Sequence, residues 1–140
     1  MGKGIALQFK QAYPEMAKAY AKACEREEVQ PGRMHIWQTG QLKNPLYIIN
    51  FPTKRHWIGR SSYADIASGL KALVEEIKKL GIGSIAVPPL GCGNGGLDWQ
   101  RVRPMVEDAF AGIPHVRVLS YAPISGSPTG EHFKRGQGCL

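Results

Sequence analysis

The segment from residue 87 to 99 constrains this chain more than any other, because it places four glycines within six residues. It reads VPPLGCGNGGLDW and follows Ser84 to Val87, which has the pattern of a buried strand. A run of glycine covers no core and costs folding entropy, so it is typical of a loop whose backbone amides approach a ligand. Asp98 then stands where a helix cap is expected. A strand, a glycine loop and a helix N-terminus in that order predict an anion site.

The glycines alone allow two interpretations of this loop. One is a cradle for a diphosphate, and the other is a tight strand-to-helix turn that binds nothing. The spacing matches neither the dinucleotide-binding fingerprint nor the P-loop, since no Lys-Ser or Lys-Thr pair follows the glycines.

Composition limits the class of protein. The 140 residues are one domain's worth, and 18 basic against 11 acidic residues give a net charge of +7. That charge suits a polyanionic partner, although solvated basic faces give the same balance. Cys24, Cys92 and Cys139 lack metal-ligand spacing, so we expect free thiols and no metal site. We find no signal peptide and no apolar run of the roughly 20 residues that span a bilayer, and we expect a cytoplasmic protein without membrane contact.

Apolar periodicity and turn residues together predict eight secondary-structure elements. In chain order they are a short helix before Pro14, a helix from about Pro14, strands at 34–37 and 46–51, a helix at 63–80, a strand at 84–87, a helix at 99–110 and a strand at 116–121. Strands alternating with helices predict a three-layer α/β/α domain with a mixed, largely parallel sheet. The second strand is almost continuously apolar, which is typical of a strand covered on both faces.

Residues at helical spacing predict which helix faces are buried. The predicted apolar stripes are Ile5, Phe9, Ala12, Met16, Ala19 and Ala23 on the first two helices, Ile66, Leu70, Leu73, Val74 and Ile77 on the third, and Val102, Val106 and Phe110 on the fourth. Ser61 or Ser62 is predicted to cap the third helix, and Gly81 to end it.

The two ends of the chain differ from its middle. Gly2 and Gly4 around Lys3 look like a second loop of close backbone approach, which normally follows a strand, and here no strand precedes it. We therefore expect residues 1–123 to form one domain that lacks its first strand or strands. Residues 124–140 have no periodicity, and we predict a flexible tail.

Lys54 is the first candidate for chemistry, because it follows a predicted strand, Pro52 and Thr53. A lysine held there can serve as a fixed charge for phosphate, as a nucleophile or as an electrophilic aid, and it can equally be a solvated loop residue. Trp57, next to His56, can stack on a ring or only close the loop.

Two further residues carry a chemical and a structural interpretation. Asp98 is a possible general base, but its position before a helix favours capping. Cys92 is a possible nucleophile near a helix N-terminus, but a small residue between two glycines is the better explanation. No Ser-His-Asp or Cys-His set is evident.

Three motifs together resemble a macrodomain, and within that superfamily most closely the DarG antitoxin macrodomains, which are related to the human terminal ADP-ribose glycohydrolase. They are MGKGIALQFK at 1–10, NFPTK at 50–54 and PPLGCGNGGLDW at 88–99. The resemblance covers about residues 1–123. It implies a macrodomain fold, ADP-ribose binding and hydrolytic removal of ADP-ribose from thymidine bases of single-stranded DNA modified by a DarT toxin. It also implies that no metal is needed, and we expect a monomer without a cofactor.

Position by position, the resemblance assigns the predicted site. Lys54 matches the functional lysine at the distal ribose, residues 2–4 match the first substrate loop, and Gly91 to Gly96 match the phosphate loop. The ADP-ribose contacts that it implies are Gly2, Lys3, Gly4, Ile5, Pro52, Thr53, Pro89, Leu90, Gly91, Cys92, Gly93, Asn94, Gly95, Gly96 and Leu97.

Two departures from the family pattern leave the mechanism open. The family's adenine-reading acidic residue and an asparagine-containing strand precede the Gly-Lys-Gly loop, and this chain begins after both. The catalytic aspartate of the human relative aligns with Gly95. Lys54 therefore either attacks the anomeric carbon or polarises the ribose while water attacks. A non-catalytic ADP-ribose-binding module is the alternative function, and a general basic DNA-binding domain is a weaker one.

Overall fold

The structure is a computed structural model that describes residues 4–55 and 59–123. Over these residues the chain forms the eight predicted elements, and each boundary for which a residue number was predicted agrees to within one residue. They are α1 (Gly4–Ala12), α2 (Pro14–Glu25), β1 (His35–Gln38), β2 (Tyr47–Asn50), α3 (Tyr63–Leu80), β3 (Ser84–Val87), α4 (Trp99–Ala111) and β4 (Arg117–Ser120). Within the described ranges, none of the helices has the length and apolar content that crossing a membrane would require. The predicted tail at 124–140 lies outside the described residues.

The strands form two hydrogen-bonded pairs of opposite type. β1 and β2 are antiparallel, with Ile36 opposite Ile49, and β3 and β4 are parallel, with Ile85 opposite Val118. A short turn joins β1 to β2, and α4 forms the crossover between β3 and β4, so each connection dictates its pairing. The predicted mixture of directions is confirmed, although among the described strands parallel pairing does not predominate.

The core lies where α3 and α4 pack on the parallel pair. The predicted inward residues of α4 and most of those of α3 are buried, while Val74 is partly buried. The cluster is completed by apolar residues from the strands and their flanking loops: Val87, Leu90, Ile113, Val116 and Val118. This core carries the elements on either side of the glycine loop.

Three burial predictions are wrong in part. In β3 only Val87 is buried, and in β2 only Ile48 is. Each of these strands has a hydrogen-bonded neighbour on one side alone in the described chain, so much of its surface stays accessible. The N-terminal stripe also fails over α1, where no residue is buried and Ile5 is 52% exposed, whereas Met16 and Ala23 of α2 are buried as expected.

Both ends of α3 and the start of α4 are capped as the sequence predicts. The Ser62 hydroxyl accepts a hydrogen bond from the Asp65 amide at 3.1 Å and caps α3, which Gly81 ends in the left-handed conformation at φ 65°. The Asp98 carboxylate accepts from the Gln100 amide at 2.9 Å and caps α4. These caps set the directions in which both helices leave the site.

Candidate functional site

The loop between β3 and α4 is folded back on itself by its own backbone. The Leu97 amide donates to the Gly91 carbonyl at 2.9 Å, and the Gly96 amide donates to the Gly93 carbonyl at 3.2 Å. Leu90, which is only 7% exposed, inserts into the core at the start of the loop. The loop is therefore a defined turn anchored in the core.

Three consecutive amides in this loop have no acceptor among the described residues. They belong to Gly93, Asn94 and Gly95, and both Gly93 and Asn94 are exposed. Successive backbone N–H groups without partners form a concave site that favours an anion. Because a helix N-terminus follows directly, its dipole adds to that preference.

Gly95 is the position in the loop where a side chain is least tolerable. It is buried, and its carbonyl accepts a hydrogen bond from the Ser61 amide at 3.1 Å. A Cβ at this position would overlap the Ser61 hydroxyl oxygen and lie 2.5 Å from the Gly91 carbonyl oxygen. No carboxylate fits at position 95 in this backbone, so the aspartate that the resemblance associates with this place has no counterpart here.

The first turns of α3 bring residues 51–55, here called the Lys54 segment, and the glycine loop to the same place. From the Lys54 segment, the Phe51 ring lies against Gly69 and the Arg55 guanidinium donates to the Asp65 carboxylate at 2.9 Å. From the glycine side, the Asp98 amide donates to the Tyr63 hydroxyl at 3.0 Å. Both segments are thus attached within residues 63–69.

Within the Lys54 segment, the exposure of the side chains to solvent rises from Pro52 to Arg55. Pro52 is buried, whereas Thr53 and Lys54 are half-buried and Arg55 is exposed. A buried proline directly before the two candidate residues gives them a stiff base. Lys54 therefore remains accessible on a segment that α3 holds in position.

The first substrate loop is described only in part. Gly2 and Lys3 lie outside the described residues, as do His56 and Trp57. Gly4 begins α1 with φ 59°, and both Gly4 and Ile5 are exposed. Their contact with ADP-ribose stays a prediction.

The structural interpretations of Asp98 and Cys92 are the better supported ones. Asp98 is engaged as the α4 cap. Burial, and to a lesser extent the charge of Asp98, raise the pKa of the Cys92 thiol to about 11, and its sulfur contacts the Leu90 carbonyl at 3.4 Å. A thiol with that pKa is protonated at neutral pH and is a poor nucleophile.

Sequence patterns did not assign Ser61, Tyr63, Arg60 or Arg101 to the site. Ser61 is 7% exposed, and its hydroxyl has no partner in the described structure. The guanidinium of Arg101 lies 3.8 Å from the centroid of the Tyr63 ring. The signal available in the sequence was their position, since three of them lie within nine residues after Lys54 and Arg101 lies five residues after Gly96.

Comparison with known proteins agrees with this geometry. The family model described as "Macro domain" matches residues 1–106. A relative from Mycobacterium tuberculosis, named DNA ADP-ribosyl glycohydrolase, is 55% identical over 127 residues, which are 91% of this chain and 36% of the relative.

Two solved structures have the same fold over most of the chain. The macrodomain of Mycobacterium tuberculosis DarG superposes with a TM-score of 0.86 at 55% identity, covering 88% of this chain and 81% of that structure. Thermosipho africanus DarTG in complex with ADP-ribose superposes with a TM-score of 0.80 at 34% identity, covering 91% and 36%. The chain thus spans about a third of the length of the named glycohydrolase.

Proposed function

Because this chain belongs to the macrodomain family, we propose that its glycine loop binds the diphosphate of ADP-ribose and that the chain hydrolyses ADP-ribose from modified DNA bases. The observation that carries the proposal is the set of three unpartnered amides at Gly93, Asn94 and Gly95. The Mycobacterium tuberculosis relative is named for this activity, and the Thermosipho africanus structure holds ADP-ribose.

The reaction requires stabilisation of the negative charge that develops on the base nitrogen as its bond to the distal ribose breaks. Water adds to the anomeric carbon while the bond from that carbon to the base nitrogen breaks, and the nitrogen keeps the bonding electrons and takes a proton. The loop amides hold the diphosphate and thereby position the ribose. Lys54 either stabilises the developing charge or attacks the anomeric carbon before water does. The proposed reaction uses no metal and no cofactor.

Exchange of Lys54 distinguishes these roles. Lys54→Ala should reduce hydrolysis of an ADP-ribosylated single-stranded oligonucleotide at least about 100-fold, since removing one group that stabilises transition-state charge costs that much. Lys54→Arg keeps the charge and cannot act as an amine nucleophile. Substantial activity in Lys54→Arg therefore supports charge stabilisation, and loss equal to that of Lys54→Ala supports attack by the amine.

Lys71→Ala is the matched control, because Lys71 is an exposed lysine on α3 beyond the turns that hold the site. It should hydrolyse the same oligonucleotide at the wild-type rate. Unchanged activity in Lys54→Ala would contradict the assigned role of Lys54, and absence of turnover in the wild type would contradict the hydrolase itself.

A non-catalytic ADP-ribose-binding module is the second candidate, and one observation favours it. Position 95 has no space for a side chain and Asp98 caps α4, so neither position of the loop offers an uncommitted carboxylate as a general base. This candidate predicts ADP-ribose binding by the wild type and by Lys54→Ala, with no turnover by either.

The proposed activity also implies a cellular role, a location, an acceptor and an oligomeric state for the protein. Removal of ADP-ribose from DNA opposes a DarT-type toxin, so we assign the chain an antitoxin role in the bacterial cytoplasm, where DNA is found. The acceptor is a thymidine of single-stranded DNA, and the domain at 1–123 acts as a monomer. Sedimentation of the purified chain tests the monomeric state independently of activity.

A further inference from the structure

Two exposed arginines lie near the point where the glycine loop passes into α4. The side chain of Arg60 runs along Gly96, since a Cβ placed on Gly96 would be 3.4 Å from the Arg60 Nε. Arg101 lies in the first turn of α4 with its guanidinium 3.8 Å above the Tyr63 ring. We call this pair, Arg60 and Arg101, the arginine rim.

The guanidinium groups of the arginine rim differ from those of two neighbouring arginines, which form ion pairs with carboxylates. Arg55 pairs with Asp65, and Arg103 pairs with Glu107. Among the described residues neither Arg60 nor Arg101 has such a carboxylate partner. An aromatic face holds Arg101 in place without neutralising it. Two uncompensated guanidinium groups at one edge of an anion site indicate a further anionic partner.

The diphosphate of ADP-ribose does not account for the arginine rim. The unpartnered amides that form the cradle are those of Gly93, Asn94 and Gly95, whereas the Gly96 amide already donates to the Gly93 carbonyl. Arg60 lies beside Gly96, and Arg101 lies further along in α4, so both follow the cradle in its path towards the helix. Both arginines therefore lie on the helix side of the cradle, beyond the three amides that the diphosphate occupies in the proposed function.

We propose that the arginine rim binds backbone phosphates of the single-stranded DNA that flanks the modified nucleotide. This inference rests on the proposed function, because the flanking strand is present only when the ADP-ribose acceptor is DNA. A planar guanidinium group can donate two parallel hydrogen bonds to the oxygens of one phosphate. Such contacts position a strand but do not depend on its base sequence. The arginine rim thus accounts for how a site built for ADP-ribose favours a polynucleotide.

The test is the salt dependence of binding to an unmodified, fluorescently labelled single-stranded oligonucleotide, followed by anisotropy. Each phosphate contact to a single strand adds about 0.7 to the slope of log K against log salt. The double variant Arg60→Gln, Arg101→Gln should therefore lower the slope by about 1.4 and weaken binding at low salt about tenfold or more.

The charge-matched control is the double variant Lys43→Gln, Arg117→Gln. Both residues are exposed, and they lie in the β1–β2 turn and at the start of β4, away from the ends of β2 and β3 that lead into the site. This control should keep nearly the wild-type slope. Equal slopes in the two double variants would overturn the proposal, since net charge alone would then explain the DNA affinity.

Calorimetric titration of free ADP-ribose separates this inference from the proposed function. The arginine-rim variant should bind ADP-ribose with wild-type affinity, and an equal loss of ADP-ribose and DNA affinity would overturn the proposal by assigning the arginines to the cradle. If the wild type binds no ADP-ribose, the proposed function fails, and the DNA slopes still report on the arginine rim by themselves.

Discussion

The two glycine-containing segments predicted to contact ADP-ribose differ in how the rest of the protein supports them. Gly95 is buried against Ser61 and Gly91, and its loop is attached to the core through Leu90. Gly4 begins an exposed helix with no buried residue, and a Cβ placed on it would meet nothing within 4 Å. In the first case packing requires glycine, and in the second only the backbone angle favours it. Similar sequence composition therefore hides two different physical constraints.

Among substitutions in these two segments, Gly95→Ala should cause the largest loss of stability and of ADP-ribose affinity. The added methyl group overlaps Ser61 and the Gly91 carbonyl, so the loop must move. Overpacking of this kind costs about 1–3 kcal/mol of unfolding free energy. ADP-ribose affinity should fall about tenfold or more, because the amides of the cradle move with the loop. Denaturant unfolding and calorimetric titration measure the two quantities.

Gly93→Ala is the control for this substitution, because a Cβ there meets no atom within 4 Å and the residue does not have a positive φ. It should keep wild-type stability. Similar destabilisation by both substitutions would show that a backbone requirement shared by the loop glycines, and not contact with Ser61, makes Gly95 necessary.

Substitutions of Asp98 test whether this residue only caps α4 or also acts as a general base. Asp98→Ala should cost about 1 kcal/mol of unfolding free energy through loss of the α4 cap. Asp98→Ser keeps an oxygen that can cap, so it should restore most of that stability and, if Asp98 only caps, also the turnover. A roughly 100-fold loss of hydrolysis in a stable Asp98→Ser variant would instead make Asp98 a general base.

Gly4→Ala should have a smaller effect on global stability. The left-handed conformation costs a non-glycine residue about 1–2 kcal/mol locally. The exposed start of α1 can relieve this cost by fraying, so the free energy of unfolding should change by less than about 0.5 kcal/mol. Gly4→Asn, which tolerates the conformation better, is the control. A loss as large as that of Gly95→Ala would contradict the contrast between the two segments.

Cys92→Ala should have the smallest effect, a change in the free energy of unfolding that is confined to alkaline pH. Burial raises its pKa to about 11 from an ordinary value of 9.0. Because the folded-state pKa is the higher one, the stability linked to this thiol is fully present below pH 9 and is lost as the pH rises towards 11. Cys92→Ala should therefore lose less stability over that interval than the wild type. Parallel pH profiles of unfolding would contradict the raised pKa.

Much of the fold could be predicted because its local signals agree with its packing. The α3 stripe and the caps Ser62 and Asp98 were readable because helical period and capping act within a few residues. The exposure of Ile5 and of most of β3 was not readable, since it depends on which elements cover a surface. Periodicity identifies an apolar face but not its neighbour.

The candidate site divides in the same way. The glycine loop was evident from composition and from the family resemblance. The contacts of Ser61 with Gly95 and of Arg101 with Tyr63 depend on how α3 and α4 approach each other, which no short motif encodes. The compact loop that α3 supports is thus a product of tertiary structure, although its glycines are visible in the sequence.

The central claim is that the glycine loop forms an ADP-ribose site in this chain. Calorimetric titration of free ADP-ribose into the purified 140-residue protein tests it most directly. We expect one site of about micromolar affinity, equivalent to roughly 8 kcal/mol, which Gly95→Ala weakens. Absence of binding heat in a cooperatively folded wild-type protein would contradict the account.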